Sequence, residues 1–152
     1  MFVYRAVRYE DAVVICDHRR RMFAEMGTDA EVLDTASDSF AVWLGSRLAD
    51  GRYFGFMAED AGVIVGGVGL SLYDWPPGPL HPASDSRALV SNVFVEPAYR
   101  GRGIASELMR RAEAELKQRG VAYAALIASK AGRPVYEKLG WKVTNEMAKA
   151  LR

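Results

Sequence analysis

Residues 93–105 contain the residue types and spacing best suited to chemistry. They read VFVEPAYRGRGIA, in which an apolar strand ends at a proline and a Gly-Arg-Gly turn opens a long helix. Amide hydrogens in the first turn of a helix lack partners, and the helix dipole adds about half a positive charge there. Glycines let a phosphate approach the backbone closely, and arginines add charge. The spacing predicts an anion site of diphosphate size at Arg100, Gly101, Arg102 and Gly103.

Other interpretations of this turn are open at this point. A dinucleotide-binding loop would have a third glycine where Ser106 stands, and an acidic residue about 20 positions later, and it has neither. A nucleoside-triphosphate loop would need a lysine and a hydroxyl that the turn lacks. These departures count against a nucleotide-binding loop but leave two alternatives open. The turn could belong to a protein that binds ATP or NAD, or it could be a glycine turn that binds no ligand.

Further segments extend the pattern into a resemblance to a known family. The RxxGxA pattern of residues 100–105, after a strand that ends in Val-Glu-Pro, resembles the acyl-CoA signature of the GNAT acetyltransferase superfamily. The segment YEKLGW at residues 136–141 is similar to the tyrosine-bearing helix and the following aromatic of that family. SNVFV at residues 91–95, the proline-rich loop before it, and Met-Phe at residues 22–23 resemble bacterial members. The resemblance covers nearly the whole chain in order.

The resemblance implies one acetyltransferase domain, residues 1–152, with an α/β fold. Its central sheet is expected to be mixed and mostly antiparallel, with six to seven strands flanked by about four helices. Periodicity and turn residues predict strands over 2–7, 52–59, 63–73, 88–95 and 121–128, and helices over 11–26, 39–48, 103–119 and 133–139. Asp11 is expected to cap the first helix. Residues 146–151 have high helix propensity but alternate like a strand, and the resemblance implies a last strand there.

The resemblance assigns the donor site mainly to backbone groups. In this family the strand before the turn splays from its neighbour, so Val93, Phe94 and Val95 are expected to contact the pantetheine arm of acetyl-CoA. One of their amides is expected to polarise the acetyl carbonyl. Ser129 stands where many relatives have an asparagine that contacts the cofactor, so that contact is expected to be weaker or replaced. The amides expected to bind the pyrophosphate are those of Gly101, Arg102, Gly103, Ile104, Ala105 and Ser106.

Tyr136 is the residue to which the resemblance assigns general-acid catalysis, by protonation of the departing CoA thiolate. The glutamate base of some relatives is replaced here by Ala124, so no base is assigned. Residues considered for that role are Asn92, Glu96 and Asp74. Acceptor contacts are expected from the first two helices and from loops facing the acetyl group. The predicted acceptor residues are Phe23, Trp75 and Asn92, with Met22, Met26 and Tyr73 as further candidates.

These residues predict an N-acetyltransferase that moves the acetyl group of acetyl-CoA directly onto an amine of a small molecule or a protein. The alternative from another class is a catalytically silent acyl-CoA-binding sensor or interaction module. The departures at Ala124 and Ser129 keep this alternative open. A last strand at the sheet edge is compatible with a homodimer.

Composition excludes several other classes of protein. The chain has 152 residues, 50% hydrophobic and 26% charged, which predicts one domain with a substantial core. A net charge of +1 gives no general attraction to nucleic acid or to an anionic membrane. In the long helix, acids precede bases by four residues, which indicates an ion-paired surface and no RNA contact. These pairs are Glu107–Arg111, Glu113–Lys117 and Glu115–Arg119.

Three further signals concern compartment, metals and packing. The single cysteine, Cys16, cannot form an internal disulfide, which favours a cytoplasmic protein. No apolar stretch reaches 18 residues and the first residues are charged, so no signal peptide is expected. His18 and His81 have no carboxylate or cysteine at ligand spacing, so no metal site is predicted. Glycines at positions 66, 67 and 69 within a strand predict a bulge or close packing.

Overall fold

Five strands and four helices alternate along the chain in the computed structural model, which describes residues 1–152. Single 3₁₀ turns stand before the first helix and after the fourth strand. In chain order the elements are β1 (Val3–Ala6), α1 (Ala12–Glu25), α2 (Ala30–Ala49), β2 (Tyr53–Asp60), β3 (Val63–Asp74), β4 (Ser86–Val95), α3 (Ile104–Gln118), β5 (Ala124–Leu126) and α4 (Arg133–Lys138).

The strands form one mixed sheet in the order β1-β2-β3-β4-β5. The first four pair antiparallel, and β2 is joined to β3 by a tight hairpin in which Ala61 and Gly62 both have positive φ, as a two-residue turn requires. The β4–β5 pair is parallel, because α3 carries the chain back to the edge at which β4 began. The start of α3 therefore lies just beyond the carboxyl end of β4.

Helices cover both faces of the sheet. On one face, α3 buries the apolar positions that its four-residue spacing predicts, namely Ile104, Leu108, Ala112 and Leu116. On the other face, Ile15 of α1 and Leu44 of α2 pack against Tyr53 and Met57 of β2. The α/β class and the helices on both faces are as predicted, and β4 lies between the central strand β3 and the short edge strand β5.

The sheet has five strands, so the predicted six to seven is wrong. Residues 141–152 form neither strand nor helix, and Val143, Met147 and Leu151 are largely exposed. The edge strand β5 is only three residues long, so few backbone groups are free to pair with a further strand. The homodimer stays a prediction, and the last strand on which it rested is absent.

Several local contacts of the helices differ from those predicted. Helix α2 starts nine residues earlier than predicted. Its first nine residues, 30–38, are mostly exposed, so they show no apolar pattern from which a helix could be predicted. The carboxylate of Asp11 makes no capping bond to α1 and instead accepts hydrogen bonds from Arg5 at 2.8 Å and from the Arg8 N–H at 2.7 Å. Glu113 accepts from the indole of Trp141 at 2.8 Å rather than pairing with Lys117. None of the four helices combines the length and apolar character needed to cross a bilayer.

The glycines of β3 have structural reasons, as predicted. One residue of β3, Val68, faces two residues of β4, Asn92 and Val93, which is a β-bulge. A Cβ at Gly69 would lie 1.9 Å from the Tyr53 hydroxyl, and a Cβ at Gly67 would lie 2.7 Å from the sulfur of Met57. Side chains of β2 therefore occupy the space above these glycines.

Substitution of Gly69 by alanine is expected to lower the free energy of unfolding by about 1–3 kcal/mol, because the buried Tyr53 ring cannot move away without disturbing its hydrogen bond. Gly45→Ala is the matched control. Gly45 lies within α2 with nothing within 4 Å of its Cβ position, so alanine there is expected to stabilise the protein by about 0.4–1 kcal/mol. Urea unfolding of the two variants measures both effects, and equal stabilities would contradict this description of the β2–β3 packing.

Candidate functional site

A cleft of about 820 Å³ opens between the carboxyl end of β4, the start of α3 and helix α4. It contains eleven of the residues that the sequence assigned to a donor or catalytic site. They are Val93, Phe94, Val95, Arg100, Gly101, Gly103, Ile104, Ala105, Ser106, Ser129 and Tyr136. These residues come from four separate segments of the chain, and the fold brings them together.

The wall of the cleft at β4 is a strand edge without a neighbour. Pairing between β4 and β5 ends at Val90, so β4 continues for five residues with no strand on that side. The Glu96 N–H donates to Val65 of β3 at 2.8 Å, and backbone groups alternate between the two edges of a strand. The N–H and C=O of Val95 therefore point toward the cleft. This unpaired edge lies where the resemblance implied that the strand splays from its neighbour, and it arises because β5 is only three residues long.

Asn92 holds the bulge from which this free edge begins. Its φ of +54° lies in the left-handed region, which asparagine tolerates better than most residues. Its side-chain amide donates to the Tyr53 hydroxyl at 2.9 Å and accepts from the Arg19 guanidinium at 2.7 Å. A strained backbone persists only where its surroundings determine it, and this buried hydrogen-bonded contact with two elements provides that.

The turn before α3 and the first turn of that helix together present six consecutive backbone amides without a partner. The N–H groups of residues 101–106 make no hydrogen bond to the backbone or to a side chain, whereas the next one, Glu107, bonds to the Gly103 carbonyl. Gly101 and Gly103 have φ of +78° and +80°, and their Cβ positions face open space. The turn therefore offers room and several donors at the positive end of α3, which is the predicted anion site.

Tyr136 projects from α4 and lines the cleft. The residue is 91% buried, its hydroxyl makes no hydrogen bond within the protein, and burial raises its pKa above the ordinary value of a phenol. It is consequently protonated at neutral pH and has a proton to donate. Trp141, bound to Glu113 of α3, anchors the end of α4. Ser129 accepts from the Gly132 N–H at 3.0 Å, so its hydroxyl hydrogen is free.

The two arginines of the turn do not supply the expected free charge. Arg100 lines the cleft, but its guanidinium donates to the Val95 carbonyl at 2.9 Å and to Glu25 at 2.9 Å, so a carboxylate offsets its charge. Arg102 lies outside the cleft, over the Tyr99 ring at 5.1 Å and within 3.3 Å of the Ala98 carbonyl. A cation–π contact holds it there, which corrects the prediction that its charge faces the anion.

The three predicted acceptor residues do not line the cleft. Trp75 lies at the opposite end of β4, 3.7 Å from the guanidinium of Arg87, so it is part of a structural cation–π stack. Phe23 faces Arg19 at 4.9 Å. Asn92 is buried in the contact described above. Of the further candidates, Met22 and Met26 do line the cleft.

None of the residues considered as a base is placed to act as one. Asn92 is a buried amide, and Asp74 lies at the far end of β3, paired in register with Ser86. Glu96 is bound by both terminal nitrogens of Arg21, at 2.8 and 2.6 Å, and this ion pair holds the pKa of its carboxyl below the usual range. A carboxylate so stabilised is a poor proton acceptor.

His18 does not stand alone, contrary to the prediction. Its Nε2 lies 3.4 Å from Glu96, and with Asp17 these groups form a cluster whose ligand atoms are within 4.8 Å of one another. The sequence could not show it, because Glu96 is 78 residues away. The guanidinium of Arg21 already binds both carboxylates, so a cation occupies the position between them. Burial lowers the pKa of His18, whose ring packs on Phe94 at 4.5 Å.

Sequence reasoning missed several residues of the cleft. Lys130 is exposed there without an ion-pair partner, and the turn from Ser129 to Gly132 leads into α4. The sequence did contain one signal for this turn: Ser129 stands three residues before Gly132, at the start of the predicted short helix. Glu25, which binds Arg100, gave no signal, because its contact is with a residue 75 positions away. The missed residues are Glu25, Tyr99, Lys130, Ala131, Gly132 and Val135.

Comparison with known proteins identifies the family. Residues 14–141 match the model of the acetyltransferase (GNAT) family. A GCN5-related N-acetyltransferase from Ralstonia eutropha JMP134 is 44% identical, with 99% of each chain covered and a TM-score of 0.97. A predicted acetyltransferase from Clostridium acetobutylicum, solved with acetyl-CoA, is 26% identical, covers 99% of this chain and 96% of its own, and has a TM-score of 0.90.

A ribosomal-protein-alanine N-acetyltransferase from Brucella melitensis biovar Abortus 2308 shares the fold at 22% identity, with 100% of this chain and 99% of that chain covered and a TM-score of 0.65. No curated protein matches the chain by sequence. The match of the family model over most of the chain, together with a solved relative at 44% identity over its full length, shows that the chain belongs to the acetyltransferase (GNAT) family.

Proposed function

We propose that this protein transfers the acetyl group of acetyl-CoA to a primary amine. The observation that carries the proposal is the run of six unpartnered amides at residues 101–106, which opens on the same cleft as the free edge of β4 and the hydroxyl of Tyr136. The relative from Clostridium acetobutylicum, solved with acetyl-CoA, supports this choice of donor. The amine belongs to a small molecule or to a protein.

The residues present fit the donor. Diphosphate oxygens accept hydrogen bonds, and backbone amides at a helix N-terminus bind them without a large side chain in the way. Lys130, which has no carboxylate partner, adds positive charge to the cleft. A cleft of about 820 Å³ lies within the usual range of about 300–1,000 Å³ for small-molecule sites. The free edge of β4 offers N–H and C=O groups to the amide-bearing arm.

The chemistry divides between the donor and the chain. Acetyl-CoA supplies an activated thioester, whose C–S bond breaks as the amine nitrogen forms a C–N bond to the acetyl carbon. Backbone amides on the free edge of β4 stabilise the negative charge that develops on the carbonyl oxygen. Tyr136 donates its phenolic proton to the departing sulfur, and the nitrogen releases its extra proton to solvent. The protein contributes mainly by positioning the reactants.

Acetyl-CoA is expected to stabilise the wild-type protein by about 2.7 kcal/mol at one hundred times its Kd. Melting temperature should rise by about 5–10 °C for a chain of this size. Gly103→Glu is expected to abolish the shift, because a carboxylate would enter the open space in front of the amides. Gly120→Glu is the matched control: Gly120 has a φ of +75°, faces open space and lies at the other end of α3.

A shift of equal size with ATP or NAD, or one that survives in Gly103→Glu, would contradict the assignment of the turn to acetyl-CoA. Thermal unfolding with each ligand distinguishes these results. A specific shift without any release of CoA in the presence of amines would identify the protein as an acyl-CoA-binding module that does not turn over.

Tyr136→Phe is expected to lower kcat about 10- to 100-fold while leaving the affinity for acetyl-CoA within about twofold, because only the proton donor is removed. CoA release at saturating amine measures kcat. Tyr123→Phe is the control, since Tyr123 packs on Arg87 away from the cleft. Unchanged kcat in Tyr136→Phe would show that solvent protonates the thiolate.

The pH dependence of kcat/KM for the amine is expected to rise with a slope of one from pH 6 to pH 8. The profile is measured with an alkylamine acceptor, whose pKa is near 10.4, because its neutral fraction grows about tenfold per pH unit below that value, whereas a peptide α-amino group would itself titrate near pH 8. The carboxylate of Glu25 is bound by Arg100, and no histidine lines the cleft. The pKa of Tyr136 is raised, so the acid stays protonated throughout this range. A plateau with an apparent pKa between 6 and 8 would reveal a titrating base.

A further inference from the structure

Arg19 is a partly buried guanidinium with no carboxylate partner. It makes one hydrogen bond, from Nη1 to the Asn92 side-chain oxygen at 2.7 Å. Its neighbours on α1 are both neutralised, Arg20 by Asp34 at 2.7 Å and Arg21 by Glu96 at 2.6 Å. A guanidinium has five N–H donors in a planar fork, so four donors of Arg19 have no partner in the protein.

The groups that surround Arg19 are all neutral. The rings of Phe23 and Phe40 lie 4.9 and 4.4 Å from its central carbon. Burial raises the pKa of Tyr53 to about 12 and raises the pKa of the Cys16 thiol, so neither is ionised at neutral pH. A charge that is partly removed from water and has no counter-ion is a favourable place for an anion to bind.

Arg19 adjoins the cleft through two elements. On α1 it precedes Met22 by three residues and Met26 by seven, which puts all three on one face of the helix, and both methionines line the cleft. On β4 its partner Asn92 directly precedes Val93, the first cleft residue of the free edge. An amine held at Arg19 would therefore approach the cleft from the side of α1.

We propose that Arg19 binds the carboxylate of the acceptor, and that the acceptor is a free amino acid or another small amine with its carboxylate within a few bonds of the nitrogen. This inference rests on the proposed function and narrows its substrate class. The planar fork of Arg19 matches the two oxygens of a carboxylate. A single cation between two phenyl rings suits a monoanion better than a phosphate dianion, which needs more than one positive charge.

The test compares amines that differ only in the anion. Kinetics with acetyl-CoA are measured for L-phenylalanine, L-leucine and L-methionine, for their carboxamides, and for O-phosphoethanolamine. After correction for the neutral amine fraction, the acids are expected to have kcat/KM values about 10- to 100-fold above those of the amides. The acids are expected to differ from the amides in KM and not in kcat. Amides that match or exceed the acids, or a preference for the phosphate, would overturn the assignment.

Three variants separate binding from structure. Arg19→Met is expected to remove the ratio of acid to amide, and because the ratio compares two acceptors on the same variant, it is independent of any change in the acetyl-CoA KM caused by loss of the hydrogen bond to Asn92. Asn92→Asp keeps the shape of the side chain but supplies Arg19 with a carboxylate from the protein itself, and is expected to lower the same ratio at least about tenfold. Arg20→Met, on the same helix, is the control and should keep the ratio. An unchanged ratio in both Arg19→Met and Asn92→Asp would overturn the proposal.

Equilibrium binding distinguishes failure of the carboxylate site from failure of the proposed acetyltransferase function. Calorimetry of L-phenylalanine, L-leucine and L-methionine with the CoA-loaded protein needs no turnover. Binding that is lost in Arg19→Met, without acetylation of any amine, would support the carboxylate site and contradict the transferase. Acetylation of amides alone, with no binding of the acids, would support the transferase and overturn the carboxylate site.

Discussion

The hydrogen-bonded contact of Asn92 with Arg19 and Tyr53 is the constraint on which the site depends. It joins α1, β2 and β4 at the residue where β4 takes a left-handed φ and gains an extra residue against β3. Beyond this bulge β4 no longer has a partner on its outer edge, and the cleft occupies the space where a neighbouring strand would lie. The Tyr53 ring in turn requires glycine at position 69. This buried polar contact therefore fixes the bulge of β4 and the glycine at position 69, while the early end of β5 leaves the edge beside the cleft open.

The hydrogen-bonding groups of the cleft are largely backbone groups that have no partner within the protein. Six amides are free at residues 101–106, since those at the start of α3 have no partner within the helix and those of the preceding turn make no other bond, and glycines keep the space in front of them open. The Val95 amide is free because β5 ends early. Side chains add one protonated phenol, Tyr136, and one unpaired lysine. Under the proposed function, such a site would recognise its donor by main-chain geometry, and the neighbouring surface of α1 would determine the acceptor.

Local signals in the sequence were sufficient to predict most of the fold and eleven of the residues that line the cleft. The apolar spacing of α3, the glycines at its start and the short helix that carries Tyr136 each depend on nearby residues. Contacts between distant residues could not be predicted in this way. Arg21 binds Glu96 across 75 positions, and Arg87 stacks on Trp75. The tail forms no strand, so the outer edge of β5 has no neighbour where the resemblance implied one. Arg19 could not be singled out from the sequence either. Its one hydrogen bond is to Asn92, 73 positions away, and only the fold shows that it has no carboxylate partner.

A titration of the ¹⁵N-labelled protein with CoA, followed by backbone amide chemical shifts, tests directly whether the free amides bind the donor. We expect the largest downfield shifts, with slowed hydrogen exchange, at the amides of residues 101–106, together with a change at Val95. Shifts confined to other parts of the chain, with these amides unchanged at saturation, would contradict the claim that the free amides before α3 bind the donor.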